Sequence, residues 1–286
     1  ISRIKMEVIR STTEMQTRAM ALKKEEKSIG FVPTMGSLHA GHFSLVDLIK
    51  EQCDVLLLSI YVNPTQFGVG EDFEKYPRDL DKDLAMCESR GVDLVFAPES
   101  TEIYQADAST FVIEESVGKG LCGNARPNHF RGVATVCAKL FNLCQPDKVA
   151  LGQKDAQQVV VLKRMIRDLH FPIEVVVGPI LREPDGLAMS SRNAYLEPKQ
   201  RENALLIFKS LEAARKVVVE KGSNNVDRVK TEAMNVLKSG RFLRVNYVEV
   251  VNRETMRPET EVVAGRSLLA VAVWVDQVRL IDNFCF

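Results

Sequence analysis

Short apolar runs, each followed by a longer amphipathic stretch, alternate along the chain as far as Leu181. The runs lack the strict polar and apolar alternation of a sheet with one solvent-exposed face. The stretches between them are long enough for crossover helices. Strands are predicted at residues 28–34, 54–62, 93–97, 148–152 and 173–181. Helices are predicted from about residue 41 and over residues 77–91, 132–144 and 155–169. The pattern indicates an α/β fold, a doubly wound parallel sheet with helices on both faces.

The pattern changes after Glu183. Amphipathic helical stretches at residues 199–221 and 226–239 precede strand-like runs that read RVNYVEVVN, SLLAVAVWV and VRLIDNF. Helices followed by neighbouring strands are typical of an α+β domain. We therefore expect a larger domain over residues 1–182 and a smaller C-terminal α+β domain over residues 183–286.

The charge balance argues against two classes of partner. The 286 residues include 38 lysines and arginines and 38 aspartates and glutamates, so the formal net charge at pH 7 is zero. Such a chain has no global field to attract nucleic acid or an anionic membrane, and an anionic ligand needs a local site. We expect small-molecule substrates, no nucleic acid and no membrane partner.

The cysteines and the N-terminus bear on the cellular compartment. The six cysteines are scattered, with no Cys-x-x-Cys pair, and most lie in apolar contexts. Free buried thiols in a reducing compartment explain them better than a disulfide framework or a zinc site. The N-terminal segment ISRIKMEVIRSTTEM has no apolar core of a signal peptide. A cytoplasmic location is the expectation, and a targeting segment removed before Ile1 stays open.

Two of the four histidines lie three residues apart in GFVPTMGSLHAGHFSLV, where a predicted strand gives way to a helix. His39 and His42 then fall on one side of the helix entry, where free N–H groups and the helix dipole attract an anion. Imidazoles there can donate to a phosphate whose charge is being redistributed. A pair of metal ligands or two solvated loop histidines are the alternatives. The zinc-protease helix is excluded, because it needs histidines at i and i+4 beside a glutamate.

The segment GKGLCG, from Gly118 to Gly123, matches the dinucleotide-binding pattern G-x-G-x-x-G by its letters. Pro127 interrupts any helix that should open directly after it, and no acidic residue ends a strand about twenty positions on. We therefore interpret it as a turn or loop. The P-loop pattern G-x-x-x-x-G-K-[ST] does not occur in the sequence.

The segments SIYVNPTQF, LGQKDAQQ and REPDGLAMSSRNAYL each follow a predicted strand. Because the carboxyl ends of parallel strands share one edge, these loops are expected to converge with the histidine turn on one crevice. Lys154 can neutralise a phosphate, and Asp155 can accept from ribose hydroxyls. Ser190, Ser191 and Arg192 supply hydroxyls and a guanidinium fork suited to polyphosphate oxygens.

Gln66 and Gln158 carry amides that can hold a carboxylate or a hydroxyl without adding charge. Each of these features also has a plainer interpretation. The Lys-Asp pair can be a solvated ion pair, the Ser-Ser-Arg run a simple turn, and the glutamines partners of loop backbone. The ordered occurrence of all of them favours a functional site.

With these motifs in order, the sequence resembles the pantoate–β-alanine ligase (pantothenate synthetase) family over essentially its whole length. The matching segments are FVPTMGSLHAGH, VNPTQF, YPRDLDKD, HFRGVATV, KLFN, GQKDAQQ, REPDGLAMSSRNAYL, YVEVV and RLIDN. The family is one of the Rossmann-like adenylate-forming and nucleotidyl-transferring enzymes, in which a His-x-Gly-His turn and a Lys-Met-Ser-Lys-Ser-like loop bracket the triphosphate. Here HAGH matches the first motif, and AMSSRN is the family's version of the second.

The resemblance implies a two-step, ATP-dependent ligation with a pantoyl-adenylate intermediate. Pantoate and ATP form the adenylate and release pyrophosphate, and the amine of β-alanine then displaces AMP to give pantothenate, the precursor of coenzyme A. Mg²⁺ is expected to arrive with ATP, held mainly by phosphate oxygens and not by a protein metal site. The resemblance also implies a homodimer, and a C-terminal domain that acts as a lid over the site.

Site residues follow from the matching motifs. The resemblance puts a first set on ATP: Met35, Gly36, Ser37, Leu38, His39, Ala40, Gly41, His42, Gly152, Gln153, Lys154, Asp155, Leu181 through its backbone, Met189, Ser190, Ser191 and Arg192. It makes His42, His39, Lys154 and Arg192 the catalytic residues, with His42 as proton donor or phosphate stabiliser. It puts Gln66 and Gln158 on pantoate, with Gln66 also near β-alanine.

The sequence does not decide the roles of some residues. His129, in HFRG, is either a loop histidine or a substrate contact, and His170 is interpreted as structural. The Gly-Val-Gly sequence after Gln66 departs from the polar loop expected in the family. A related nucleotidyltransferase, which would keep the nucleotide on its product, and a catalytically silent nucleotide-binding module are the rival hypotheses.

Overall fold

The computed structural model describes residues 6–286. Residues 1–5, the beginning of the segment judged to lack a signal peptide, lie outside the described residues. The chain divides into two compact units. The first comprises the residues up to Glu114, Arg126–Gln153 and Val161–Pro179; the second comprises Glu115–Ala125, Lys154–Val160 and Ile180–Phe286. The domain limits predicted at residues 182 and 183 stay a prediction.

Within residues 6–286, six parallel strands form the sheet of the first unit. They are β1 (Glu7–Ile9), β2 (Ile29–Thr34), β3 (Val55–Ile60), β4 (Leu94–Phe96), β5 (Lys148–Gly152) and β6 (Glu174–Gly178). The inner strands are buried almost without interruption, as in Leu94–Phe96, where every residue is buried. Continuous burial is typical of parallel strands that are covered on both faces.

Helices connect these strands. They are α1 (Thr12–Lys24), α2 (Ala40–Lys50), α3 (Leu80–Arg90), α4 (Ser100–Ile103), α5 (Leu121–Ala125), which belongs to the second unit, α6 (His129–Cys144) and α7 (Ala156–Asp168). Helix α2 packs its apolar face on the sheet, where Phe43, Val46 and Ile49 join Val32 and Leu58 in one core cluster. This burial fixes the helix whose N-terminus carries the two histidines.

The sheet order is β1-β4-β3-β2-β5-β6, so the direction of strand succession reverses between β2 and β5. Open parallel sheets bind ligands outside the carboxyl ends of the strands at such a reversal. Strand β2 ends at Thr34, before the histidine turn, and β5 ends at Gly152, where GQKD begins. The topology therefore puts the starts of two predicted ATP-binding segments at the expected edge.

The second unit has a separate core. Among the described residues it contains α8 (Pro198–Val219), α9 (Val226–Lys238) and an antiparallel sheet of β7 (Leu243–Asn252), β8 (Ser267–Val275) and β9 (Val278–Cys285). Helix residues such as Ile207 and Ala233 pack against strand residues such as Leu269 and Val271. An α+β arrangement of helices on a small antiparallel sheet was predicted for this part of the chain and is confirmed.

The predicted parallel α/β fold is also confirmed, with differences at its ends. Strand β1 was not predicted, because three residues at a sheet edge leave no usable periodicity. Helix α1 was not predicted either, because its residues form only a weakly amphipathic pattern. The strand predicted to reach Leu181 ends at Gly178, and the chain then turns through an isolated bridge between Arg182 and Ala188.

The cysteines are free thiols, and Cys87, Cys122, Cys137 and Cys144 are buried. None of the helices in the described part of the chain combines the length and apolar character that crossing a membrane requires.

Candidate active site

The turn after β2 is built on two residues with positive φ. Gly36 has a φ of +77° and Ser37 a φ of 52°. The Gly36 N–H donates to Thr34 Oγ1 at 3.1 Å, and Thr34 Oγ1 donates to the carbonyl of Ser59 at 2.6 Å. A Cβ on residue 36 would lie 2.9 Å from Oδ2 of Asp83. Glycine is therefore required both by conformation and by space.

Asp83 of α3 holds this turn through its carboxylate, a role that was not predicted from the sequence. Its side chain accepts the N–H of Ser37 and the N–H of Leu38, both at 2.8 Å, and the residue is only 2% exposed. Burial raises the pKa of the Asp83 carboxyl, although the two backbone N–H groups act in the opposite direction. Nothing in the letters of YPRDLDKD separates this buried aspartate from its exposed neighbours.

His39 and His42 cap helix α2 together. Nδ1 of His39 accepts the N–H of Gly41 at 3.1 Å, and Nδ1 of His42 accepts the N–H of His39 at 3.2 Å. The two ring centroids lie 4.0 Å apart, with 36° between the ring planes. This is a capping box in which imidazoles take the places of the usual hydroxyl and carboxylate.

The capping bonds fix the tautomer of both rings. A neutral imidazole that accepts through Nδ1 carries its proton on Nε2, where it is a donor. The N–H groups of Gly41 and His42 are bonded to His39, the latter to its carbonyl at 2.9 Å. The expectation of free backbone N–H groups at this terminus is therefore wrong at these two positions. The imidazole Nε2–H groups and the helix dipole can attract an anion at this terminus.

Gln66 lies at the end of a 3₁₀ turn, Pro64–Gln66, that Asn63 caps. Its amide nitrogen contacts Sδ of Met35 at 3.0 Å, and its amide oxygen accepts from Asn63 Nδ2 at 3.1 Å. The structure thus brings the predicted substrate amide directly against the first residue of the predicted ATP turn.

The GQKDAQQ segment forms the end of β5, a 3₁₀ turn over Gln153–Asp155 and the first residues of α7. Nζ of Lys154 lies 3.7 Å from Oδ2 of Asp155, a partly exposed ion pair. Gln157 is buried, and its amide bonds to the backbone of residues 117, 119, 120 and 122, which include part of the GKGLCG segment. Gln158, beside it, is partly exposed. The adjacent glutamines therefore have separate environments.

Lys154 is held through its backbone by strand β9. Nδ2 of Asn283 donates to the carbonyl of Lys154 at 3.0 Å. The neighbouring Asp282 is buried and pairs with both terminal nitrogens of Arg182, at 2.6 and 3.0 Å. Burial raises the pKa of the Asp282 carboxyl despite this guanidinium and the positive charge of Lys154.

The Ser-Ser-Arg segment is a 3₁₀ turn over Ser191–Tyr195, and Oγ of Ser190 caps it by accepting the N–H of Arg192 at 3.3 Å. The N–H of Met189 donates to the carbonyl of Leu181 at 3.0 Å. A small cavity in the second unit is lined by Lys154, Ser190, Asn193 and Asp282, together with apolar side chains. Two of the predicted phosphate ligands thus border the same space.

The turn or loop predicted for GKGLCG is confirmed over Gly118–Gly120, and no strand occurs in residues 104–120. The prediction is wrong for Leu121–Gly123, because these residues begin the short helix α5 ahead of Pro127. No three His, Cys, Asp or Glu side chains lie together as a candidate metal site in residues 6–286.

Comparisons with known proteins identify relatives over nearly the full length. Residues 7–285 match the family model described as Pantoate-beta-alanine ligase. A pantothenate synthetase from Thermotoga petrophila is 46% identical over 278 residues, covering 97% of this chain and 99% of that protein. The crystal structure of pantothenate synthetase from Thermus thermophilus gives a TM-score of 0.92 at 42% identity, over 98% of this chain and 99% of that one.

A second solved structure carries ligands. The pantoate-beta-alanine ligase from Francisella tularensis, complexed with beta-gamma ATP and beta-alanine, gives a TM-score of 0.80 at 30% identity, over 98% of this chain and 97% of that one.

The protein is a Rossmann-like, ATP-binding ligase. This class is defined by the parallel sheet, by the histidine-capped helix at the point where the strand order reverses, and by the similarity to these solved structures. The chain belongs to the pantoate–β-alanine ligase family, whose members join pantoate and β-alanine to form pantothenate.

Proposed function

We propose that this protein ligates (R)-pantoate and β-alanine in two steps, through a pantoyl adenylate, with release of pyrophosphate and then AMP. The observation that carries the proposal is the family match over residues 7–285, which includes the His-x-Gly-His turn at the reversal point of the sheet. The ATP and β-alanine of the Francisella tularensis structure support the choice of substrates.

His39 and His42 act on the phosphates in this proposal. The first step passes through a crowded, highly charged α-phosphate, so donors placed at its oxygens contribute more than an acid or a base. Both rings present a donor on Nε2, because their Nδ1 atoms accept backbone N–H groups. Lys154 and Arg192 are cationic donors to the same phosphate charge. Lys154 acts as a point charge, and Arg192 acts as a planar fork of donors.

The proposed ATP ligands are the residues that the family motifs carry. They are Met35, Gly36, Ser37, Leu38, His39, Ala40, Gly41 and His42 in the histidine turn, Gly152, Gln153, Lys154 and Asp155 after β5, the backbone of Leu181, and Met189, Ser190, Ser191 and Arg192. Gln66 and Gln158 are proposed to hold pantoate. The contact of Gln66 with Met35 supports a pantoate carboxylate close to the ATP turn.

Mg²⁺ is proposed to enter with ATP, bound by phosphate oxygens and water. This assignment fits the donor set, because the hard oxygen ligands that Mg²⁺ prefers are supplied by a triphosphate itself. The chemistry that the ion supplies is neutralisation of phosphate charge.

The nucleotide product tests the proposal. With pantoate, β-alanine, ATP and Mg²⁺, chromatography should show AMP formed in a one-to-one ratio with pantothenate. A nucleotidyltransferase would retain the nucleotide on its product, and a silent module would consume no ATP. ADP and phosphate as products would contradict the adenylate route, since they indicate an acyl phosphate.

We extend the proposal to a cytoplasmic homodimer formed through the N-terminal domain. Family membership supports the dimer, and the free cysteines support a reducing compartment. Light scattering at micromolar concentration should give twice the mass of 32.0 kDa. A monomeric mass would contradict the dimer.

A further inference from the structure

His129 begins helix α6 and is 8% exposed, and its role could not be decided from the sequence. Its Nδ1 lies 2.9 Å from the backbone oxygen of Gln66, and its Nε2 lies 3.1 Å from Nη1 of Arg126. The imidazole thus lies between the backbone of a proposed substrate ligand and a guanidinium.

These contacts fix the protonation state of His129. A carbonyl oxygen can only accept, so Nδ1 carries a proton and donates to Gln66. A guanidinium can only donate, so Nε2 carries no proton and accepts from Arg126. His129 is therefore neutral and has the Nδ1–H tautomer, the opposite of the tautomer that the capping bonds give to His39 and His42.

Arg126 is fixed in turn by a carboxylate. Its Nε and Nη2 donate to the two oxygens of Glu71, at 2.7 and 2.5 Å, and both side chains are mostly buried. Nη2 also donates to the Gln66 carbonyl at 3.3 Å. Glu71 belongs to the loop after Gln66, in which the tip residue Val69 is fully exposed. The chain of contacts joins this loop to α6 through the backbone of Gln66.

Helix α6 approaches the same turn at Gly132. A Cβ on residue 132 would lie 2.4 Å from the carbonyl oxygen of Thr65, and the Gly132 carbonyl accepts from Asn63 Nδ2 at 3.2 Å. His129 and Gly132 are the first and last residues of the HFRG motif. One turn of helix therefore contacts the Asn63–Gln66 segment by a hydrogen bond at one end and by close packing at the other.

We propose that neutral His129 is a positioning residue: through the Gln66 carbonyl, it fixes the Gln66 side chain in the orientation that binds pantoate, and Arg126 and Glu71 fix His129. This inference rests on the proposed function, in which Gln66 holds pantoate. His129 itself touches no substrate in this account.

A pair of variants tests it. In His129→Asn, the amide nitrogen takes the place of Nδ1, so the hydrogen bond to the Gln66 carbonyl is kept. In His129→Gln, the longer side chain puts its amide at the place of Nε2, so the donor to the Gln66 carbonyl is lost. His129→Gln should raise the KM for pantoate about tenfold with kcat within about threefold, and His129→Asn should raise it by less than about threefold. The KM for ATP should change little in either. His170→Gln, at an exposed position, is the matched control.

Equal KM values for pantoate in the Asn and Gln variants would overturn the proposal. A rise in the KM for ATP as large as the rise for pantoate would also overturn it, because the effect would then be a general loss of structure. Melting temperatures of both variants should accompany the kinetics.

The tautomer of His129 can be measured without any enzymatic reaction, by long-range ¹H–¹⁵N correlation NMR of the imidazoles. The spectrum is simple, because the chain has only four histidines. At neutral pH the signal that His129→Asn removes should show the Nδ1–H pattern. An Nε2–H pattern or an imidazolium at that position would overturn the inference. Should the unaltered chain show no pantoate-dependent turnover, the proposed function would fail, and this measurement would still decide on His129.

Discussion

Nδ1 of His42 accepts the backbone N–H of His39, and Nδ1 of His39 accepts the N–H of Gly41, so both imidazoles cap the start of the same helix. The same bonds that cap the helix orient both Nε2–H groups as donors. Stability and the proposed phosphate binding therefore depend on the same two side chains, and substitutions can separate them.

His39→Asn should separate the two roles at the cap. Asparagine is among the best N-cap residues, so this variant should keep the stability of the chain, whereas His39→Ala should lose about 1 kcal/mol of unfolding free energy. Both remove the imidazole donor, and both should slow the first half-reaction. Urea unfolding and adenylation rates provide the measurements. Full activity in His39→Asn would show that the ring has only a capping role.

His42→Ala should lower the rate of the first half-reaction by about 10²- to 10³-fold, because it removes a donor to the α-phosphate as its charge develops. Helix α2 should persist, since its apolar face is buried on the sheet. Rapid-quench measurement of pantoyl-adenylate formation, with far-UV circular dichroism as the control for folding, is the test. Near-normal turnover would contradict the site assignment.

Lys154 and Asp155 should respond differently, although their side chains form one ion pair. Lys154→Ala should slow adenylation by about 10²- to 10³-fold, because a cation is lost from the transition state. Asp155→Ala should mainly raise the KM for ATP, because a carboxylate that accepts from ribose acts in the ground state as well. The same kinetic pattern in both variants would contradict the division of roles.

Glu71→Gln should destabilise the protein in a pH-dependent way. Burial acts to raise the pKa of the Glu71 carboxyl, but the hydrogen bonds and charge of Arg126 outweigh it and lower the pKa below its usual range. A depressed folded-state pKa contributes stability above the unfolded-state pKa, and this contribution is lost as the pH falls through the folded-state value. The variant should lose about 1–2 kcal/mol of unfolding free energy at neutral pH.

The difference from the unaltered chain should shrink as urea unfolding is repeated from pH about 7 down to about 3. Glu88→Gln, at an exposed position of α3, is the matched control and should show little difference at any pH. A Glu71→Gln deficit that stays constant with pH would contradict the ion pair with Arg126.

Much of the fold could be predicted because it depends on local pattern. Continuous apolar runs such as Leu56–Leu58 mark strands that are buried on both faces, and their order with helices fixes a parallel sheet. Strand β1 could not be predicted, because its three residues are extended through pairing with β4, which is distant in the sequence.

The sequence was enough to propose which residues form the site, and it was not enough to predict their contacts. HAGH shows two imidazoles on one helix entry, but their reciprocal capping depends on the backbone at His39. Asp83 and Gln157 act on backbone that lies 45 and 40 positions away, so no spacing rule could reveal them. The tautomer of His129 follows only once both of its partners are known.

Exchange of labelled pyrophosphate into ATP tests the central claim most directly, because an adenylate formed before the amine arrives makes the first half-reaction reversible without β-alanine. With enzyme, Mg²⁺, ATP and pantoate, label should enter ATP, and omission of pantoate should abolish the exchange because the α-phosphate then has no acceptor. Adding β-alanine should convert the bound intermediate to pantothenate and AMP. Exchange that ignores pantoate, or pantothenate formed with ADP and phosphate, would contradict the pantoyl-adenylate mechanism.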